Sequence, residues 1–288
     1  PHPNRHLVTT SFWNSFPNSA FWSSNAYPYI DYADVRHYVE EDSLNALGYI
    51  YDLSDFNDAA LITTKLSLTH GANQADGPGM PVMRGELGWL FNNAARFARN
   101  DSDGLWLHNL LWAGLNSGGL IESYWVGSPT EDHIYADGSH DHRPLFKPFY
   151  NFVSTIPLNN GRYQSLTPIT STPDLRAWGQ IDPFTDSAHL WLQNSSHTWR
   201  RVADGQTINP VSGTVTLAGF EPDLTYTVQW WDTTEPDPAQ QITGTQLVTA
   251  SGEGTLTLNI DNLVADTAVK ISGDVNLDQV FLPAVQGP

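Results

Sequence analysis

Apolar and polar positions follow one rule in the first half of the chain and another in the second. Over residues 1–155, short apolar runs alternate with stretches of helical spacing. Residues 6–10 (HLVTT) and 32–35 (YADV) read as strands. Residues 58–69 (DAALITTKLSLT) set Leu61, Lys65 and Leu68 along one side of a helix. Residues 81–86 predict a strand, and 105–118 (LWLHNLLWAGLNSG) a helix stopped by Ser117-Gly118-Gly119. A further strand is predicted over 120–126 and a last helix over 145–155. Strands alternating with helices imply a parallel sheet covered by helices.

From Arg162 the period changes. LRAWGQI, AHLWLQN, GTVTLAGF, LTYTVQWWD, GTLTLNI and TAVKI recur between clusters of Asn, Gly, Asp and Pro. Short strands at this spacing predict an antiparallel β-sandwich. The predicted domains are therefore 1–156 and 162–272, joined near 157–161 and followed by an Asp-, Gly- and Pro-rich tail over 273–288. No internal repeat is visible.

Charge narrows the partners. The 288 residues carry a net charge of −18 with only 13 Lys plus Arg, which excludes a nucleic-acid partner held by basic contacts to phosphate. A neutral polymer such as a polysaccharide remains compatible. No apolar run is long enough to span a bilayer, and no signal peptide is recognisable. The chain opens at Pro1 without an initiator Met, as a processed or excised segment would. The low charged fraction, 15%, and the many Ser, Thr and Asn suit a secreted or cell-surface protein. With no Cys, the redox compartment cannot be read from disulfides. Eleven Trp and 11 Tyr supply core packing, and flat aromatic faces also stack on sugar rings.

One stretch concentrates the candidate chemistry. In PVMRGELGW, residues 81–89, an apolar strand leads into Glu86, which lies between Gly85 and Gly88. A salt bridge needs no flanking glycines, whereas close approach of a substrate does. Arg84, two residues earlier, shares the face of Glu86 if the strand is regular. A guanidinium there would keep the carboxylate ionised. The plainer reading is a structural Arg84–Glu86 contact.

With those elements placed, the first half resembles the C-terminal half of a retaining glycosidase (β/α)8 barrel of the clan that includes family 5 cellulases and mannanases. HLVTTSF resembles the fifth barrel strand, YADVRHY the sixth, and PVMRGELG the seventh, where that clan carries its nucleophilic Glu. LHNLLWAGLNSGGLIESYWV is similar to the seventh helix and eighth strand. LRAWGQID, AHLWLQNSSHTW and YTVQWWDT resemble the β-sandwich that follows the barrel in some bacterial surface glycosidases. The resemblance implies an α/β plus all-β fold, a (β/α)4-like half TIM barrel followed by an antiparallel sandwich. It implies a glycoside hydrolase acting on β-linked polysaccharide such as cellulose, β-glucan or mannan. Glu86, Tyr38 and His37 are then catalytic candidates, and Arg36, Arg84, Trp89 and Trp125 substrate-binding ones. Arg36 takes the place where the family tends to carry a His, and His37 is displaced by one. No cofactor or metal is implied.

The clan's acid/base Glu follows an Asn on the fourth strand, and no Asn-Glu pair occurs in this chain. The resemblance therefore implies a partner that closes the barrel, either an N-terminal half or a second copy in a homodimer. Glu122, Glu40 and Glu41 are weaker acid candidates. The competing reading is a non-catalytic carbohydrate-binding or cell-surface structural module. A third is glycan binding by the sandwich alone, through Trp191, Trp199, Trp230 or Trp231. His133, His140, Asp141 and His142 match no zinc spacing and read as a polar rim loop. No serine-hydrolase elbow and no phosphate-cradling or dinucleotide fingerprint occurs.

Overall fold

The computed structural model describes residues 7–9, 31–39, 57–61, 82–89, 101, 103–115, 124–128, 131–132 and 141–273. At 33, 35–39, 82, 86, 87, 89, 124–128 and 131–132 the described structure is the backbone. The strands are β1 (Ala33–Val39), β2 (Val82–Trp89), β3 (Tyr124–Ser128) and β4 (Glu131–Asp132) in the first half. The second half holds β5 (Gln164–Ser165), β6 (Ile169–Thr170), β7 (Leu175–Asp182), β8 (Ser187–Asn194) and β9 (Val211–Ala218), then β10 (Thr225–Trp231), β11 (Ile242–Thr249), β12 (Thr255–Leu263) and β13 (Asp266–Gly273). Helices α1 (Leu105–Ala113), α2 (Phe146–Val153) and α3 (Trp199–Ala203) are short.

The expected α/β half TIM barrel followed by a sandwich is corrected by this architecture. The described molecule is mostly β, organised around two antiparallel sheets with few helices. A third, small sheet runs β1-β2-β3-β4, parallel except for its last pair. Residues 7–9 of the first predicted strand are not strand; they meet residue 31 through Asp31 N donating to Val8 O (2.8 Å). The helix predicted over 105–118 closes at Ala113, and the one over 145–155 is a 3₁₀ turn, Arg143–Leu145, followed by α2. Most of the predicted 58–69 helix lies outside the described residues. Apolar runs of this length do not separate strand from helix by period alone, and local pattern overstated the helical share.

The six-stranded sheet runs β11-β10-β13-β8-β7-β5 and the three-stranded one β12-β9-β6. Their inner faces share one core, with Leu190, Leu192, Tyr226, Val228 and Val269 meeting Val215, Leu217, Leu256 and Leu258. Each such aliphatic side chain, moved from water, stabilises by about 2 kcal/mol. Alternation along β8 sends Leu190 and Leu192 inward and Trp191 outward.

The outer face of the large sheet is covered as well. Trp231, Ala268, Trp191 and Trp178 are successive register partners across β10, β13, β8 and β7. Together with Leu107, Trp112 and Phe152 from α1 and α2 they form a second core. Trp178 stacks on Trp191 at 5.1 Å between ring centroids, and Phe152 meets Trp231 edge-on at 5.4 Å. Burial on both faces explains why β8 is buried at seven of its eight positions.

Helix α1 is buried at every position from Trp106 to Ala113, as befits a helix that is apolar almost all round. Asp101 opens it, accepting from Leu105 N and Trp106 N at 2.9 Å each. Gly104, at φ 66, makes the left-handed step into the helix, where a Cβ would strike Leu145 and the His142 ring. Among the described residues no helix is long and apolar enough to cross a membrane.

Candidate functional site

The parallel strands bring the predicted site residues into adjacent register. Arg36 on β1 is the partner of Glu86 on β2, His37 of Leu87, Tyr38 of Gly88 and Val39 of Trp89. On the other side Gly88 is the partner of Trp125 and Trp89 of Val126. Tyr38, Gly88 and Trp125 thus form one row across three strands, two positions beyond the Arg36–Glu86 pair. The row falls near the carboxyl ends of β1 and β2 and near the amino end of β3.

Arg84 stands elsewhere. Val35 pairs with Arg84 but Arg36 pairs with Glu86, so β2 carries one extra residue, a bulge at Gly85. The bulge shifts the two-residue alternation, and positions 84 and 86 no longer share a phase. The Arg84 side chain is fully buried, and its Nη2 donates to Leu110 O of α1 at 3.1 Å. Burial pushes its pKa down to about 9, which leaves it charged at pH 7. Gly85 also has a structural reason of its own. A Cβ at 85 would run into the Asp34 carboxylate.

Glu122, Glu40, Glu41, His133 and His140 lie outside the described residues. Asp141 is held by Arg143, which donates Nε and Nη2 to its two oxygens at 2.7 and 2.6 Å. The Arg143 hydrogen bond sets the Asp141 carboxyl below its usual range. His142 is buried against the start of α1. Among the described residues no group of three or more His, Cys, Asp or Glu is arranged to hold a metal ion. The sandwich tryptophans Trp191, Trp199 and Trp231 are 0%, 1% and 6% exposed, so they are packing residues rather than open sugar platforms.

Local patterns missed a polar node between α1 and the sandwich. Asp266 at the start of β13 accepts from Trp191 Nε1 (2.9 Å) and Thr233 Oγ1 (2.5 Å), and His108 Nε2 lies 3.1 Å from both its oxygens. Burial raises the Asp266 carboxyl, but the His108 charge and these hydrogen bonds outweigh it and hold the group below the usual range. His197 stands nearby; burial pushes its pKa down against the pull of Asp266. Its carbonyl accepts from Asn109 Nδ2 (3.1 Å) and Gln193 Nε2 (3.3 Å), tying α1 to β8. A polar residue inside the apolar LWLHNLLWA was the available signal for this node.

No family model matches the chain, and no curated protein matches it. Among solved structures it is similar to CelM2, a bifunctional glucanase-xylanase protein from a metagenome library. The match has 13% identity and a TM-score of 0.32, over 74% of this chain and 34% of that one. It is also similar to the GH39 enzyme from Xanthomonas axonopodis pv. citri. Here identity is 9% and the TM-score 0.27, over 74% of this chain and 47% of that one. Both neighbours are glycoside hydrolases, and the chain spans less than half the length of either. Likeness at these scores carries no argument about fold or chemistry.

Proposed function

We propose that the chain acts as a glycoside hydrolase on β-linked polysaccharide, with Glu86 as its nucleophile. The observation that carries this reading is the strand register: Arg36 opposite Glu86, and Tyr38, Gly88 and Trp125 aligned two positions on. Adjacent strands lie about 4.8 Å apart, so a guanidinium at 36 favours an ionised carboxylate at 86, as a nucleophile requires. The middle of the Tyr38–Gly88–Trp125 row carries no side chain. An aromatic residue on each side of that gap suits a pyranose ring, with Tyr38 as a hydrogen-bond donor toward the nucleophile and Trp125 as the floor. His37 and Trp89 flank the row. The strong negative charge suits an uncharged glycan, and the composition suits an exported protein.

Retention requires a second carboxyl about 5–5.5 Å from the first. We assign that acid/base to chain outside the described residues or to a second copy of the protein. A non-catalytic glycan-binding role is the second reading, favoured by the absence of any Asn-Glu pair. Glu86→Gln separates the two. Release of reducing ends from cellulose, mixed-linkage β-glucan or mannan, abolished by Glu86→Gln with binding retained, supports the enzyme. Binding without hydrolysis by the unmodified chain on all three supports the module.

A further inference from the structure

A β-sheet ends in strands whose outer N–H and C=O groups have no neighbour, and proteins blunt such edges with shortness, charge, bulges or proline. Five of the six sheet edges among the described residues carry one of these devices. β4, β5 and β6 are two residues long, and β4 consists of Glu131 and Asp132. β1 carries Asp34 and Arg36. β12 has Asp261, a shift of register between Ile260 and Leu263, and Asn262 at φ 52.

The sixth edge is different. β11 reads ITGTQLVT, with no charge and no proline. Its one irregularity lies at Thr243, which is skipped where Trp230 pairs with Gly244 and Trp231 with Ile242. Residues 244–249 then run in regular register with β10, the only strand partner of β11 among the described residues. Six of the eight positions of β11 are exposed, Leu247 at 70% and Ile242 at 40%. The exposure occurs in both phases of the pleat, at Thr245, Leu247 and Thr249 and at Gln246.

Charge selects the occupant. Two copies carrying −18 each repel wherever acidic surface meets acidic surface. An uncharged strand lets them meet with no like charges directly opposed. Antiparallel pairing about a two-fold axis is self-complementary, because each copy supplies the N–H and C=O groups that the other lacks. It also consumes both edges, so the assembly closes as a dimer instead of growing into a fibre.

We propose that β11 is a dimerisation edge that pairs antiparallel with β11 of a second copy, about a two-fold axis at Leu247. That register sets the most exposed apolar side chain of the strand against its own counterpart and joins the two six-stranded sheets into one. Thr245 then faces Thr249 of the partner subunit, and Gln246 faces Val248 of the partner subunit. The acids nearest the strand, Glu235, Asp237 and Glu253, lie in the turns at its two ends, so salt that screens them strengthens the pairing. Six residues a side make a small interface, below the roughly 1,200 Å² at which standard interfaces begin, and association belongs between about 1 µM and 1 mM. The inference stands apart from the glycan reading, which concerns β1 to β3.

The test is sedimentation equilibrium of the full chain, 31.9 kDa as a monomer, over that range of concentration and at low and high salt. Leu247→Lys and Thr245→Lys each place a charge at an exposed position of β11. Asn259→Lys adds the same charge at an exposed position of β12, so a difference from it is local and not an effect of net charge. Circular dichroism of each variant separates lost association from lost fold. The chain has no Cys, so Leu247→Cys under mild oxidation reports the two-fold contact without background. A monomer–dimer equilibrium that salt strengthens, that both β11 variants weaken at least tenfold and that Asn259→Lys leaves unchanged supports the edge, together with a disulfide-linked dimer of Leu247→Cys. A dimer indifferent to both β11 variants, one that salt weakens, or no cross-link in Leu247→Cys overturns it. A monomer at every concentration also overturns it, and leaves the edge to a strand from a different protein.

Discussion

His108 Nε2 sits 3.1 Å from each carboxylate oxygen of Asp266, a residue 158 positions further along the chain. The two side chains are only 4% and 3% exposed. With Thr233 and Trp191 also bound to Asp266, the carboxylate fixes α1 to the outer face of the large sheet.

Asp266→Asn should therefore cost about 3–5 kcal/mol, because it removes the charge and sets an amide donor against donors. Thermal unfolding followed by circular dichroism should show a midpoint lower by about 10 °C. The sign with pH is fixed by the depressed pKa. The contribution is present above the ordinary carboxylate value and is lost as pH falls through the folded one. The acid limb of the stability curve should accordingly be shallower in Asp266→Asn than in the parent.

At the β2 bulge, Gly85→Ala should destabilise by about 1–3 kcal/mol, since its methyl meets the Asp34 carboxylate. Asp34→Ala in the same chain should recover part of that loss if the clash is the cause. Urea midpoints of the two single variants and the double variant measure the coupling. Additive effects would assign the cost to something other than this contact.

Two buried groups pull stability in opposite directions below neutrality. Burial raises Asp101 to about 6 from 3.8, so its contribution is full below pH 3.8 and is lost as pH rises through 6, about 3 kcal/mol in all. Burial lowers His189 to about 4 from 6.5, so its contribution is full above pH 6.5 and fades as pH falls toward 4, by about the same amount. The parent should show a flat profile between pH 4 and 6. His189→Leu should tilt it toward greater relative stability at acid pH, and Asp101→Asn the other way. Denaturant midpoints at half-unit pH steps check both slopes.

Arg176 Nη1 lies 2.5 Å from Asp58 Oδ2 and joins β7 to the segment around residue 58. Burial already pushes the Asp58 carboxyl up despite this partner. Arg176→Met should strand that carboxyl and cost about 1–3 kcal/mol, the lower end reflecting the half-open arginine. Asp58→Asn added to it should restore most of the loss in the same thermal assay.

The sandwich was legible because its strands alternate and its turns punctuate. LRAWGQI and AHLWLQN sit where β7 and β8 lie, with Trp178 and Trp191 on one side and Leu175, Leu190 and Leu192 on the other. The first half was less legible, because runs such as HLVTT and DAALITTKLSLT satisfy more than one period. The phase of Arg84 against Glu86 was unreadable locally. The bulge that separates them depends on Asp34, fifty-one residues upstream, whose carboxylate occupies the space beside Gly85. The His108–Asp266 node is equally non-local, since nothing near DTAVKI announces that its aspartate will meet a helix from the other half.

The tryptophan row on the outside of the large sheet bears on how this protein can be divided. A fragment cut near residue 160 would keep the sandwich's inner core but bare Trp178, Trp191 and Trp231, which α1 and α2 now cover. Such a fragment would carry an oily stripe on an otherwise acidic surface and would self-associate. The two segments are thus poor candidates for independent shuffling between genes, and their joint inheritance is written into one shared face.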